Sequence, residues 1–236
     1  MKTNSSNSSK STGSSSATQR SGFSLVELIV VMSIIALLVG VVTPAFGTMV
    51  RSKARTDTTN EMQLLSNAAL DFYGDVGSHP TDVNQLLVAT GAGWSGPYIS
   101  GTTDDPWSGL SGHRIDGFGT AYRFTRSGVR LTITSGGPDR TLGNADDLVL
   151  VADATPLLRK RTLDRLAVVN TAITQYNSVH LATSPLSGNW TVAYSRLVTA
   201  GFLPIGGPER NDAWGTAFVG DPVGATPLVR VTSTNL

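Results

Sequence analysis

The residues from Phe23 to Val42 run FSLVELIVVMSIIALLVGVV, and Ser24, Glu27 and Ser33 are the only polar side chains among them. At a rise of about 1.5 Å per residue this stretch measures about 30 Å as a helix, the hydrocarbon thickness of a bilayer. A segment apolar on every side has no water-facing stripe, so it predicts a membrane helix. Pro44 follows and is expected to kink or weaken it. The helical pattern then resumes with Met62, Leu65, Ala69 and Phe72 at spacings of three and four. Gly74 and Gly77 supply a stop, with Pro80 just beyond. One helix from Phe23 to Tyr73 is therefore expected, with its front half in lipid and its amphipathic rear half packed on a soluble head.

The 22 residues before the apolar run are serine-rich, carry Lys2, Lys10 and Arg20, and hold no acid. They lack the apolar surface that offsets chain entropy, so the sequence predicts disorder there. The remainder holds 15 Lys and Arg against 17 acids, which argues against nucleic-acid binding driven by bulk charge. Having no cysteine excludes a disulfide scaffold, a thiol nucleophile and a zinc–thiolate site. Apolar residues make up 40% of the chain, enough for a modest core.

Beyond the helix, TAYRFT (120–125), VRLTIT (129–134) and LVLV (148–151) alternate as strands do. Ser127-Gly128 marks a turn, so the first two predict an antiparallel hairpin. A second helix is expected to open at Thr155-Pro156, with Thr155 as its N-cap. Leu163, Leu166, Val169, Ile173 and Tyr176 give it an apolar face, and the cluster Arg159, Lys160, Arg161 and Arg165 suggests either an anion site or, as is commoner, a solvated face. Four matches in the same order suggest a repeat. Asn67–Tyr73 matches Asn170–Tyr176 as N-x-A-[LI]-x-x-Y, and Leu87–Gly91 resembles Leu197–Gly201. Asp116–Tyr122 (DGFGTAY) resembles Asp212–Phe218 (DAWGTAF), and Val129–Thr132 resembles Val229–Thr232. A helix-then-sheet unit used twice is the simplest account, and Trp107 and Trp214 are expected to anchor the two sheets.

Glu27 lies five residues into the apolar run. A carboxylate there costs several kcal/mol unless it is paired, neutralised or near water, which makes it a functional candidate. A cleaved secretory signal ending at Thr43-Pro-Ala45 is the alternative, but such apolar regions are about 7–15 residues long and rarely contain an acid. The stretch Gly22-Phe23-Ser-Leu-Val-Glu27-Leu-Ile resembles the class III prepilin signal of type IV pilins and type II secretion pseudopilins. The resemblance implies cleavage after Gly22 by a prepilin peptidase, methylation of the new amine of Phe23, and the family's helix proline at Pro44. The leader, 1–22, is longer than in most pseudopilins. Cleavage would place a cation at Phe23, and Glu27 of a neighbouring subunit can neutralise it and set the axial register. Positive charge at the two ends of the apolar run is balanced, because Arg51, Lys53 and Arg55 stand beyond it. Orientation, with a cytoplasmic leader, follows from the family alone.

Thr134–Leu148 (TSGGPDRTLGNADDL) is rich in hard oxygens, the donors that calcium takes six to eight at a time. The spacing is not that of an EF-hand, and on its residues alone the segment is a Gly/Asp hairpin loop. Asp105-Pro-Trp107, Gly119-Thr-Ala-Tyr122 and the following S-G-G-P-D…A-D-D resemble the head of the major pseudopilin of type II secretion. That head has a D-P-W-G-x-x-Y segment before a calcium-binding loop. The resemblance implies Asp139, Asp146 and Asp147 as acidic calcium ligands, with Ser135 and Leu142 as weaker candidates through backbone oxygens. Residues 108–118 interrupt the D-P-W and G-x-x-Y parts. The second copy keeps the motif whole, and only one calcium site is expected.

Among catalytic signatures, His79, His113 and His180 have no ligand-like spacing, and there is no G-x-S-x-G, P-loop or HExxH. No enzyme activity is expected. The sequence thus predicts an α+β chain: leader 1–22, membrane and filament helix 23–50, a first antiparallel-sheet pilin-like head at 51–153, and a second helix-plus-sheet head at 154–236. The resemblance implies a type II secretion pseudopilus subunit, inserted once in the bacterial inner membrane with periplasmic heads and later polymerised through its N-terminal helices. Implied partners are prepilin peptidase, the inner-membrane assembly platform, minor pseudopilins and membrane lipid, with no nucleic acid. A type IV pilus subunit is the alternative, and a signal-anchored, calcium-stabilised binding protein or exoenzyme is a third.

Overall fold

A computed structural model describes Gly22 and residues 24–88, 91–100 and 113–236, with the backbone alone for 41–46. The leader residues 1–21, Phe23, the Pro44 side chain and the Asp105–Trp107 segment lie outside the described residues. The chain divides into two units, Met1–Val50 and Arg51–Leu236. Its elements are an α+β mixture: α1 (Leu25–Val76), α2 (Asn84–Leu87), β1 (Arg123–Ser127), β2 (Arg130–Ser135), β3 (Leu148–Asp153), α3 (Thr155–His180), α4 (Trp190–Thr199), β4 (Val219–Asp221) and β5 (Arg230–Thr232).

In the first unit the helix begins with the Leu28 N–H donating to the Ser24 carbonyl at 3.1 Å. Its described leucine, isoleucine and valine side chains are exposed on all sides. Ser33 donates its hydroxyl to the Ile29 carbonyl at 2.7 Å, so that polar group is satisfied within the helix. The helix backbone continues through position 44.

The second unit starts where α1 becomes amphipathic. Met62, Leu65, Ala68, Ala69 and Phe72 are buried with Leu86, Leu131, Ile133 and Ala152 in one core. The helix stops where expected: Gly77 turns at φ 81° and donates to the Tyr73 carbonyl. Three antiparallel strands pair in the order β1-β2-β3, with Ser127 opposite Arg130 across a two-residue turn in which Gly128 has φ 57°. β2 is central, pairing with both β1 and β3, and its side chains alternate inward at Leu131, Ile133 and Ser135.

α3 opens one residue differently from the expected cap. Thr155 is its first helical residue and Ala154 its N-cap, without a side-chain cap bond, while Asp153 just before it accepts the Thr155 N–H at 2.8 Å. Leu163, expected on the apolar face, is 55% exposed, whereas Thr162 is fully buried. The reason is a hydrogen bond: the Thr162 hydroxyl oxygen accepts the Ala213 N–H at 3.0 Å, which turns that edge of the helix inward. Leu166, Val169, Ala172, Ile173 and Tyr176 build the second core with Leu186, Trp190, Leu197, Phe218 and Val231.

The two halves occupy matching stations. Thr58 and Thr162 are both fully buried, and Thr58 accepts the Gly117 N–H at 2.9 Å as Thr162 accepts that of Ala213. Phe72 meets Tyr98 edge-on at 5.5 Å, and Tyr176 meets Phe202 edge-on at 5.5 Å. Phe72 therefore stands where Tyr176 does, one residue away from the Tyr73 pairing in the sequence match. The strands are offset as well. Arg123 faces Thr134 in the first sheet as Val219 faces Thr232 in the second, so Ile133 corresponds to Val231. A third apolar cluster of Tyr73, Ala154 and Leu158, with half-buried Trp214 against it, joins the halves.

Candidate functional site

Glu27 is exposed in the first turn of α1, near the positive end of the helix dipole. Gly22 is exposed upstream, and an added Cβ there would meet nothing within 4 Å. The Glu27 carboxylate has no hydrogen bond or ion pair among the described residues and is free for a group supplied from elsewhere. Among the described residues no helix is long and apolar enough to cross a membrane. Phe23, Val41 and Val42 of the apolar run are not in the fully described set.

The aspartate loop joins β2 to β3. Its ends are pressed together at Gly137 (φ 61°), where a Cβ would stand 2.4 Å from the Asp146 carbonyl oxygen. Only glycine accommodates that approach. Asp139 accepts the Thr141 N–H at 2.8 Å and the Asn144 amide at 2.6 Å. Asp146 accepts the Asp139 N–H at 3.3 Å, and Asp147 accepts the Gly143 N–H at 2.7 Å. The other Asp147 carboxylate oxygen, Oδ1, is buried without a hydrogen-bond partner. Leu142 is exposed, and Ser135 is buried with its hydroxyl given to Asp116 at 2.5 Å. No group of three or more histidine or acidic side chains among the described residues is arranged to hold a metal ion.

Two buried aspartates organise the turns that enter the sheets. Asp116 accepts the N–H groups of Phe118 (3.0 Å) and Thr120 (2.7 Å) and the Ser135 hydroxyl. Asp212 accepts those of Trp214 (3.0 Å) and Thr216 (2.8 Å), the Ser233 hydroxyl (2.8 Å) and the Asn235 amide (2.8 Å). Each aspartate also donates its own N–H, to Thr120 or Thr216, at 2.7 Å. The Asp116–Tyr122 turn thus has the same hydrogen bonds as Asp212–Phe218, while the Asp105–Trp107 part of the motif lies outside the described residues. Burial raises the Asp212 carboxyl, but the hydrogen bonds outweigh it and hold the group below its ordinary range.

Several organising residues carried no motif. Tyr122 donates to Glu61 at 2.7 Å, and burial raises the pKa of both groups. Arg165, expected on a solvated face, donates to the Asn211 and Asp212 carbonyls at 3.1 and 2.7 Å. His79 is buried, with Nε2 2.9 Å from the Val129 carbonyl, and burial lowers its pKa. A lone threonine, glutamate or histidine has no sequence signal of its own. Thr58 and Thr162 share burial and a backbone N–H partner without sharing a motif.

The family comparison falls on the glycine and glutamate just described. Residues 18–43 carry a prokaryotic N-terminal methylation motif. It is the prepilin signal of type IV pilin-like proteins, and it implies processing by prepilin peptidase, membrane anchoring and filament assembly. The match spans the Gly22–Glu27 signal and ends near Pro44, leaving both heads outside it. No curated protein and no solved structure matches the chain.

Proposed function

We propose that the chain is a subunit of a type II secretion pseudopilus, made as a precursor and polymerised through its N-terminal helix. The observation that carries the proposal is Glu27, unpaired in the first turn of α1 within the N-terminal methylation motif. Cleavage after Gly22 creates an amine at Phe23, and a carboxylate of a neighbouring subunit supplies its counter-charge as both leave water. The pseudopilus reading, ahead of a pilus, draws support from the Asp105-Pro-Trp107 and Gly119–Tyr122 motifs together with the aspartate loop that follows them. The matching hydrogen bonds of Asp116 and Asp212 support a duplicated pilin-like head. The role is structural.

Calcium belongs to the same proposal. The loop offers only hard oxygens, and the buried, unpartnered Oδ1 of Asp147 fits a cation. Asp139, Asp146 and Asp147 would hold it after drawing together from their present contacts with loop amides, with the Ser135 and Leu142 carbonyls as further donors. The ion supplies charge neutralisation between carboxylates and has no catalytic part.

N-terminal peptide analysis of the protein from its native membranes tests the proposal. A methylated Phe23 start is expected, and a start at Phe46 overturns it. A Glu27→Ala chain is expected to insert yet assemble poorly; normal filaments from it would remove the pairing role. Loss of exoprotein export on deletion separates a secretion filament from a pilus.

A further inference from the structure

We propose that β3 is a docking edge for β1 of a second copy of this chain, so that first heads join edge to edge in a head-to-tail row. That the occupant is another copy rests on the filament reading above. β3 is an outermost strand of its sheet. Among the described residues no group outside the sheet bonds the backbone of 148–152. Its sequence, LVLVAD, has no lysine, proline or glycine, and Val149 and Val151 are 58% and 49% exposed. Natural edge strands are blunted by such residues or covered, and an uncovered apolar edge is a template for a further strand. This chain does cover its other comparable edge: the Asn170 side chain closes β5 by bonding both polar groups of Val231.

The opposite edge of the same sheet has complementary chemistry. β1 carries Arg123 and Arg126, and among the described residues no group outside the sheet bonds its backbone. The aspartate loop, with exposed Asp139 and half-buried Asp146, leads directly into β3. Because both pairings with β2 are antiparallel, β1 and β3 run in the same direction. The register aligns Arg123 with Thr134 and Val149, and Thr125 with Thr132 and Val151. A second copy displaced along the row lays its β1 parallel to β3. Its Arg123 then falls at the Val149 end, beside the loop carboxylates, and its Thr125 beside Val151. The contact is heterologous and does not close on itself, as a growing polymer requires.

The cysteine-free chain allows a direct test. Thr125→Cys and Val151→Cys are placed together in the full-length protein, and its native membranes are treated with a short bifunctional thiol reagent. A ladder of dimers, trimers and larger multiples is expected, with monomer alone from either single variant. Adding Val149→Lys should abolish the ladder. No ladder, adducts with a different protein, or an equal ladder from Thr125→Cys with Val192→Cys on the second head would each overturn the pairing. Filaments are scored separately by electron microscopy. Filaments without the ladder sink the edge pairing and leave the filament reading standing, whereas a ladder without filaments does the reverse.

Discussion

Asn170 holds the peptide groups of Val231 from both sides, its Oδ1 accepting the Val231 N–H at 2.8 Å and its Nδ2 donating to the Val231 carbonyl at 3.2 Å. The corresponding residue of the first sheet, Ile133, faces Leu150 of β3. One asparagine on α3 therefore closes an edge that a whole strand covers in the first head. Asn177, two turns further along α3, adds a bond to the Leu228 carbonyl at 2.9 Å.

Replacing Asn170 with alanine leaves two backbone groups without partners and should cost about 1–3 kcal/mol. For a chain of this size that corresponds to a fall in Tm of about 2–4 °C per kcal/mol. Thermal unfolding of the detergent-solubilised full chain checks it. Asn170→Asp keeps the acceptor but loses the donor, so it should lie between alanine and the native residue. Equal stability for all three chains would mean that water satisfies Val231 as well as the amide does.

Gly117 is the second prediction. An added Cβ would stand 2.5 Å from the Ala54 carbonyl oxygen, a backbone atom of α1 that cannot swing away. Gly117→Ala should therefore destabilise the first head by about 1–3 kcal/mol, as overpacking does. Ala213 holds the corresponding place in the second head, where a Cβ is already accommodated. Ala213→Gly should cost less, about 1 kcal/mol or below. The comparison of the two denaturation midpoints is the measurement.

The letters that match between the two halves are clear in the turns and one residue out of step on the helices, and the two facts have one cause. Asp116 and Asp212 sit in a turn whose every residue is constrained, so the D-x-x-G-T spacing survives as a string. On the helices only the inward face is constrained. Asn67 and Asn170 matched as letters, yet the buried stations pair Phe72 with Tyr176 and Thr58 with Thr162, one residue off. The strands were placed within a few residues because alternation is strict, and the signal around Gly22 and Glu27 because it stands in an otherwise apolar run. Arg165 was misplaced on the solvent side, since a long cationic side chain can reach back to the Asp212 carbonyl from the edge of a face.

His79 gives the fold a pH dependence of defined sign. Its ring is buried against Tyr73, and burial holds its pKa below the ordinary 6.5 despite the Val129 carbonyl. The folded chain then binds fewer protons than the unfolded one, so this stability is present above about pH 6.5 and is lost as the pH falls through the lowered value. Asp153 faces it as an anion, held at about 2 mainly by Thr155 hydrogen bonds, and Arg126 faces it as a cation. Glu61, raised by burial, acts oppositely and gains stability on protonation at lower pH. The native chain should lose Tm between about pH 7 and about pH 5. His79→Gln should flatten that slope, and an unchanged slope would exclude His79 as its source.

Calcium offers the last test, and its readout is stability. If the ion binds only the folded loop, stabilisation follows RT ln(1 + [L]/Kd), or about 2.7 kcal/mol at a hundredfold excess over Kd. Titrating calcium into the full chain should raise Tm in a saturable way, and a chelator should reverse it. Asp147→Asn removes charge from the loop and should weaken the response, while Asp146→Asn should do so with the Asp139 N–H contact disturbed as well. Without calcium the same changes should be mild, because Asp146 and Asp147 each accept one loop N–H, which an amide oxygen also accepts. A Tm indifferent to calcium, with the native and Asp147→Asn chains behaving alike, would leave the loop as a glycine–aspartate turn held by its own backbone.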